Sequence, residues 1–153
     1  VIKLNEKTRS SGLPLGGSEG DYSVNQTSTW ISGYPVRNSL KKGFPEYDPW
    51  QFDAGRMLEN GEADALLWIS SFHPDKTPPA TDVPTIVIGH AAMQFEREPE
   101  VFIPAGTPGL DHAGTMFRID SSVTLPLTAL RPSSLPSLAE VVDAIETATQ
   151  LDQ

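Results

Sequence analysis

Hydrophobic and polar positions split the chain into a weakly patterned first third and a strongly patterned remainder. Asp48 precedes Pro49, Gln51 follows three residues after the aspartate, and Asn60–Gly61 closes the run. This order predicts a helix over 49–59, capped by Asp48, with Trp50, Ala54, Met57 and Leu58 on its buried side. The almost unbroken apolar run ADALLWISS at 63–71 then predicts a strand covered on both faces, and TIVIG at 85–89 a second one. Residues 101–103 predict a third, short strand, and 114–119 with 123–127 a hairpin across Asp120–Ser122. Ser137 and Glu140 form a capping box. Leu138, Val141, Val142 and Ile145 then repeat at the spacing of one helical face. Together these elements predict an α/β fold: a mostly parallel sheet with flanking helices, followed by a C-terminal hairpin and helix. Ligands of such sheets sit beyond the carboxyl ends of the strands, here SSFHPDKTPP and HAAMQFERE.

The first third behaves differently. Residues 1–21 mix charge with Ser and Gly and show neither helical nor strand periodicity, and 22–47 alternate aromatic and polar residues with Gly and Pro. The expected division is an irregular lead-in and long ordered loop over 1–47, with at most brief strands, and an α/β domain over 48–153. Trp30, Tyr34, Phe44, Tyr47 and Trp50 crowd the junction. Aromatic anchors of this kind either cap the domain's own core or enter a partner's pocket. VIKLNEKTRS has no initiator Met and no signal-peptide pattern, which leads to the expectation of a fragment of a longer chain.

Composition narrows the function classes. The 153 residues contain no cysteine, which excludes a disulfide framework, a thiolate zinc site, a cysteine-ligated iron–sulfur cluster and a cysteine nucleophile. A cytoplasmic setting fits. No apolar run approaches the roughly 20 residues that span a bilayer, so no membrane span is expected. The formal charge of −9 argues against nucleic-acid binding. Its distribution is uneven, with net +3 over residues 1–43 and net −12 over the rest, which describes either solvated surface or a basic docking face.

Candidate chemistry is sparse. His73, His90 and His112 are too dispersed for metal-ligand spacing, and each reads as a hydrogen-bonded loop residue before a ligand or base. Asp111–His112 could be a ligand pair, an acid/base couple or a loop without chemistry. Neighbouring residues on extended backbone point to opposite faces, so they make a poor chelate. GLPLGG at 12–17 lacks the flanking strand and helix of a phosphate loop, and no serine sits in a GxSxG elbow. GTPGLDHAGT at 106–115 has enough glycine for a tight structural turn or for close approach of a ligand or another subunit.

The blocks VNQTSTWISGYPVR (24–37), GFPEYDPWQFDA (43–54), GEADALLWISS (61–71), PTIVIG (84–89), VFIPAGTPGLDHAGTMFRID (101–120) and SLAEVVDAI (137–145) occur in that order. In that order they resemble the C-terminal part of the B subunit of formylmethanofuran dehydrogenase, of the molybdopterin oxidoreductase superfamily. The likeness covers nearly all of the chain from about residue 22, and AGTMFRID is similar to a family closing segment of the form EGTAYRMD. The resemblance implies a molybdopterin oxidoreductase-like domain and one of two roles. In one, the protein is redox-active and holds a pterin dinucleotide with tungsten or molybdenum; His73, Asp75 and His90 would then be the cofactor-binding residues. In the other, it is a structural subunit of a bacterial formyltransferase/hydrolase complex, which carries a formyl group from a tetrahydromethanopterin carrier to a methanofuran analogue and releases formate. The loops FHPDKTPPA and His90-Ala91-Ala92 depart from the turns expected beside a pterin, and so favour the second role. It implies no catalytic residue, no metal ligand and no cofactor in this chain, and other subunits of the complex as partners. On the same resemblance, Gly109 to Asp120 is a structural closing segment, and Asp111 and His112 have no catalytic role.

Overall fold

A computed structural model describes residues 2–12, 20–120 and 123–151. The glycine-rich 13–17 stretch and two residues of the expected hairpin turn, 121 and 122, lie outside the described residues. The elements in chain order are α1 (Ile2–Asn5), α2 (Asp21–Ser32), β1 (Asn38–Ser39), β2 (Glu46–Tyr47), α3 (Ala54–Glu59), β3 (Leu66–Ser70), β4 (Thr85–His90), β5 (Val101–Ala105), β6 (Gly114–Phe117), β7 (Thr124–Leu127) and α4 (Leu138–Leu151). Strands β3, β4 and β5 form a parallel sheet in that order, and β6 pairs antiparallel with β7. The α/β architecture with its C-terminal hairpin and helix is the one that the apolar pattern predicts.

The sheet register decides where the core sits. Leu67 pairs with Ile86 and Ile86 with Val101, while Ile69 pairs with Ile88 and Ile88 with Ile103. These residues therefore share one face. Helix α4 lies on the carboxyl half of that face, where Val141 packs with the buried Ile88 and Ala105, flanked by Ile103 and Leu138. Its start is held by the expected box: Glu140 Oε2 accepts from Ser137 N at 2.7 Å, and Ser137 Oγ accepts from Glu140 N at 3.3 Å. The amino half of the same face stays open. Leu67 is 57% exposed and Ile69 45%, so the expectation that this strand is covered on both faces fails. The physical reason is reach: α4 shadows only the strand ends, and β3 is an edge strand. On the opposite face Val87 is fully buried, and Phe95 meets Phe102 edge to face at 5.0 Å.

Three local expectations are corrected. Asp48 caps a turn, accepting from Trp50 N and Gln51 N, but the helix begins only at Ala54. Asp53 is the actual cap, accepting from Arg56 N at 3.0 Å. Trp50 lies outside the helix and is 77% exposed, Ala54 is also exposed, and Met57 and Leu58 are half-buried. Residues 22–47 are not a continuous loop, because Asp21–Ser32 forms α2 between left-handed Gly20 and Gly33. The lead-in also contains the short turn α1. Helix α2 was hidden because its sequence, DYSVNQTSTWIS, has low helix propensity and no aliphatic stripe. Its hydroxyls turn back on their own helix (Thr29 Oγ1 to Asn25 O, 2.8 Å; Ser32 Oγ to Ser28 O, 2.7 Å), and tertiary contacts hold it. Phe117 N donates to Ser23 Oγ at 3.0 Å, and Trp30 meets Phe117 edge to face at 5.0 Å. The five junction aromatics do not cap the core: all are exposed, with Tyr34 and Tyr47 stacked at 5.6 Å.

Candidate functional site

The carboxyl ends of the parallel strands are where chemistry would be expected, and this chain closes them with its own side chains. After β3 comes Ser71, after β4 the His90 loop, and after β5 Gly106 and Thr107. Thr107 Oγ1 donates to the carbonyl of Ser71 at 2.8 Å in a buried bond spanning 36 residues, which ties the β3 loop to the β5 loop across the end of β4. Above β4, Met93 presses on Gly89. A Cβ there would lie 2.7 Å from the Met93 sulfur and 3.1 Å from the Ser70 carbonyl, so only glycine lets the two loops close.

Asp111 and His112 close the end of β5. Asp111 Oδ2 accepts from Thr107 N at 2.9 Å, and Oδ1 accepts from Arg131 Nε at 2.6 Å. The Arg131 guanidinium, and then the Thr107 amide, hold the Asp111 carboxyl down at about 2, so near neutral pH it is an anion engaged within the fold. The His112 ring lies between two carbonyls, with Nδ1 2.7 Å from Ala113 O and Nε2 3.2 Å from Gly106 O. A neutral ring donates to only one of them at a time. The turn is tightened by Gly109, whose φ of 81° favours glycine and whose N donates to His112 O at 2.8 Å. Asp111 and His112 thus act as fasteners between β5, the loop at 106–112 and the segment at 131.

His73, Asp75 and His90 lie on the loops after β3 and β4. His73 Nδ1 accepts from Asp75 N at 3.2 Å, so its 3.6 Å approach to Asp75 Oδ2 is not a hydrogen bond. His90 Nδ1 accepts from Ala92 N at 3.1 Å. Each imidazole therefore spends one nitrogen on its own loop. Among the described residues no three His, Asp or Glu side chains gather to hold a metal, and no helix is long and apolar enough to cross a membrane. One feature of this closure had no sequence signal: Arg131 lies 20 residues beyond Asp111 in a Pro/Ser-rich stretch. At the opposite end of the sheet, Glu100, which accepts from Thr85 N at the start of β4, likewise reads in the sequence as one more surface acid.

No family model matches the chain. The B subunit of the formyltransferase/hydrolase complex Fhc of Methylorubrum extorquens is 31% identical over 149 residues, covering 96% of this chain and 41% of the relative. The B subunit of a tungsten-containing formylmethanofuran dehydrogenase 2 of Methanocaldococcus jannaschii is 29% identical over 125 residues, covering 78% of this chain and 29% of the relative. Among solved structures, a chain of the Methylorubrum extorquens formyltransferase/hydrolase complex FhcABCD, crystallised with methylofuran, superposes with a TM-score of 0.78 at 30% identity, covering 96% of this chain and 42% of that chain. The chain thus spans about two fifths of the length of the first of these relatives. Shared sequence and shared fold along nearly its whole length make this chain a homologue of the B subunits of the formyltransferase/hydrolase complex and of formylmethanofuran dehydrogenase.

Proposed function

We propose that this chain works as a structural, non-catalytic component, of the B-subunit type, in a cytoplasmic formyltransferase/hydrolase complex. That complex converts formyl-tetrahydromethanopterin to formate through a formyl-methanofuran analogue. The observation that carries the reading is the match, in sequence and in fold, to the Methylorubrum extorquens complex over 96% of the chain. The strand ends support it. Gly89 and Gly106, the two glycines that could let a ligand approach, are covered by Met93 and by Asp111 with His112. His73 and His90 are each tied to their own loop. This closure favours the structural role over the redox-active alternative, in which His73, Asp75 and His90 would hold a pterin dinucleotide.

The function of the chain is then to present surfaces. Its uncovered apolar residues, Leu67 and Ile69 on the sheet and Trp30 and Ile31 on α2, are the positions where other subunits of the same complex would be held. The test is turnover of formyl-methanofuran analogue and of formyl-tetrahydromethanopterin by the purified chain and by the assembled complex. Formate release by the assembly and none by the chain alone is expected. Hydrolase or transferase turnover by the chain without partners overturns the reading.

A further inference from the structure

Helix α3 ends on the only Asn-Gly pair of the chain, Asn60–Gly61. Asparagine is a thermolabile residue type. Its side-chain carbon Cγ is open to attack by the backbone nitrogen of the next residue, most of all when that residue is a glycine with no Cβ in the way. A Cβ at Gly61 would meet nothing within 4 Å, so the neighbouring fold adds no obstruction.

The structure sets Asn60 apart from the other three asparagines. Asn5 is held at both ends by Ser10, with Nδ2 donating to Ser10 O and Oδ1 accepting from Ser10 N, each at 2.9 Å. Asn25 Nδ2 donates to Asp21 O at 3.1 Å inside α2, and Asn38 Nδ2 to Pro35 O at 2.7 Å. Their following residues, Glu6, Gln26 and Ser39, all carry side chains. Asn60 is exposed, and its amide reaches Glu62 Oε1 at 3.5 Å, the limit of a hydrogen bond.

The end of the helix is what restrains Asn60. Gly61 N donates to Leu58 O at 3.2 Å and Glu62 N to Met57 O at 2.9 Å, a Schellman closure with Gly61 at a φ of 65°. Across the Asn60–Gly61 bond, the Arg56 guanidinium grips both carboxylate oxygens of Glu62 at 2.6 Å each. It also donates to Gln51 O at 2.5 Å, which anchors the clamp to the preceding turn. Helix α3 has six residues and none of them is buried, so its last turn belongs to the part of a fold that opens most easily.

We propose that Asn60 is a self-modification site, converted to aspartate and isoaspartate at a rate set by the Arg56–Glu62 clamp. When the turn opens, Gly61 N attacks Asn60 Cγ. The new N–Cγ bond closes a succinimide ring, the Cγ–Nδ2 bond breaks, and Nδ2 leaves as ammonia with the proton from Gly61 N. Water then adds to either imide carbonyl. Cleavage at Cγ gives aspartate, and cleavage at the main-chain carbonyl of residue 60 gives isoaspartate; in both, one oxygen comes from water. The product carboxylate stands beside Glu62, where it competes for Arg56, and at the negative end of α3, so the modified turn is held less firmly.

The experiment keeps the full chain and its Glu62→Gln variant, each folded and each unfolded in urea, in mildly alkaline heavy-oxygen water. Digestion in ordinary water and mass spectrometry then follow the label at each asparagine. In the folded chain, label should enter residue 60 ahead of residues 5, 25 and 38. Glu62→Gln should speed entry at residue 60 about two- to fivefold, the span that an exposed ion pair supplies, whereas in urea the two chains should label residue 60 alike. Label entering residue 60 no sooner than the other asparagines, equal rates in the two folded chains, or a rate difference that persists in urea would overturn the proposal.

Discussion

Replacing Thr107 by valine keeps the shape of the side chain and deletes one hydroxyl. Thr107 is buried, and its hydroxyl donates to the Ser71 carbonyl at 2.8 Å, joining the loops that follow β3 and β5. Thr107→Val leaves a buried carbonyl without that donor, at a cost of about 1–3 kcal/mol. For a chain of this length a change of 1 kcal/mol moves the melting midpoint by about 2–4 °C, so the loss is roughly 2–12 °C. Thr107→Ser makes the opposite change, retaining the donor and removing one buried methyl, worth about 0.8 kcal/mol before any cavity cost. If the hydroxyl bridge holds the strand ends together, the serine variant is the more stable of the two, although it buries less apolar surface. Thermal melts by far-ultraviolet circular dichroism at low micromolar chain read both shifts. A valine variant as stable as the serine variant, or more stable, would refute the claim that this bond closes the carboxyl end of the sheet.

The other predictions concern charge, capping and assembly. Asp111 has its carboxyl lowered from 3.8 to about 2 by Arg131 and the Thr107 amide. Its contribution is therefore complete above about pH 4 and is lost as pH falls towards 2. The stability gap between the native chain and Asp111→Asn should shrink across that window in melts at several pH values; a gap unchanged at pH 2 contradicts this. Ser137→Ala removes the hydroxyl that accepts from Glu140 N and should cost about 0.5–2 kcal/mol in urea unfolding, whereas no change would place the start of α4 outside the cooperative unit. Trp30→Ala should keep the far-ultraviolet spectrum while weakening co-purification with the other subunits of the proposed complex, because Trp30 is mostly exposed and meets Phe117 edge to face at the surface; global unfolding would assign it to the core instead. The isolated chain should self-associate in light scattering at tens of micromolar through the open face at Leu67, Ile69, Ile86 and Val101, and a stable monomer there would show that the face needs no cover.

What the sequence made legible was what is locally encoded. The apolar runs at 63–71 and 85–89 announce two parallel strands, β3 and β4, and the Ser137–Glu140 box sets the start of α4 one residue after the serine. Both signals lie within a few residues of the element they specify. Helix α2 was not legible because its hydroxyl-rich sequence disfavours a helix, and the contacts that hold it, Ser23 to Phe117 and Trp30 to Phe117, cross about ninety residues. The choice of Asp53 over Asp48 as the cap of α3 is similar: both aspartates accept backbone N–H groups, and a string of residues does not say which turn continues into a helix. One-sided cover of β3 follows from how far α4 reaches along the sheet, a property of packing. At the candidate site, the sequence exposed the dispersion of His73, His90 and His112 and the resemblance made 109–120 a closing segment. Arg131, which completes that closure, needed the three-dimensional arrangement.

Native mass spectrometry of the complex, assembled from the tagged full chain and its co-expressed partners, tests the central claim most directly. The account predicts that the chain flies at fixed stoichiometry with the formyl-processing subunits and, when released from them, has the mass of its polypeptide. A chain that stays free of those subunits, or that is released carrying the mass of a pterin dinucleotide with tungsten or molybdenum, would contradict it.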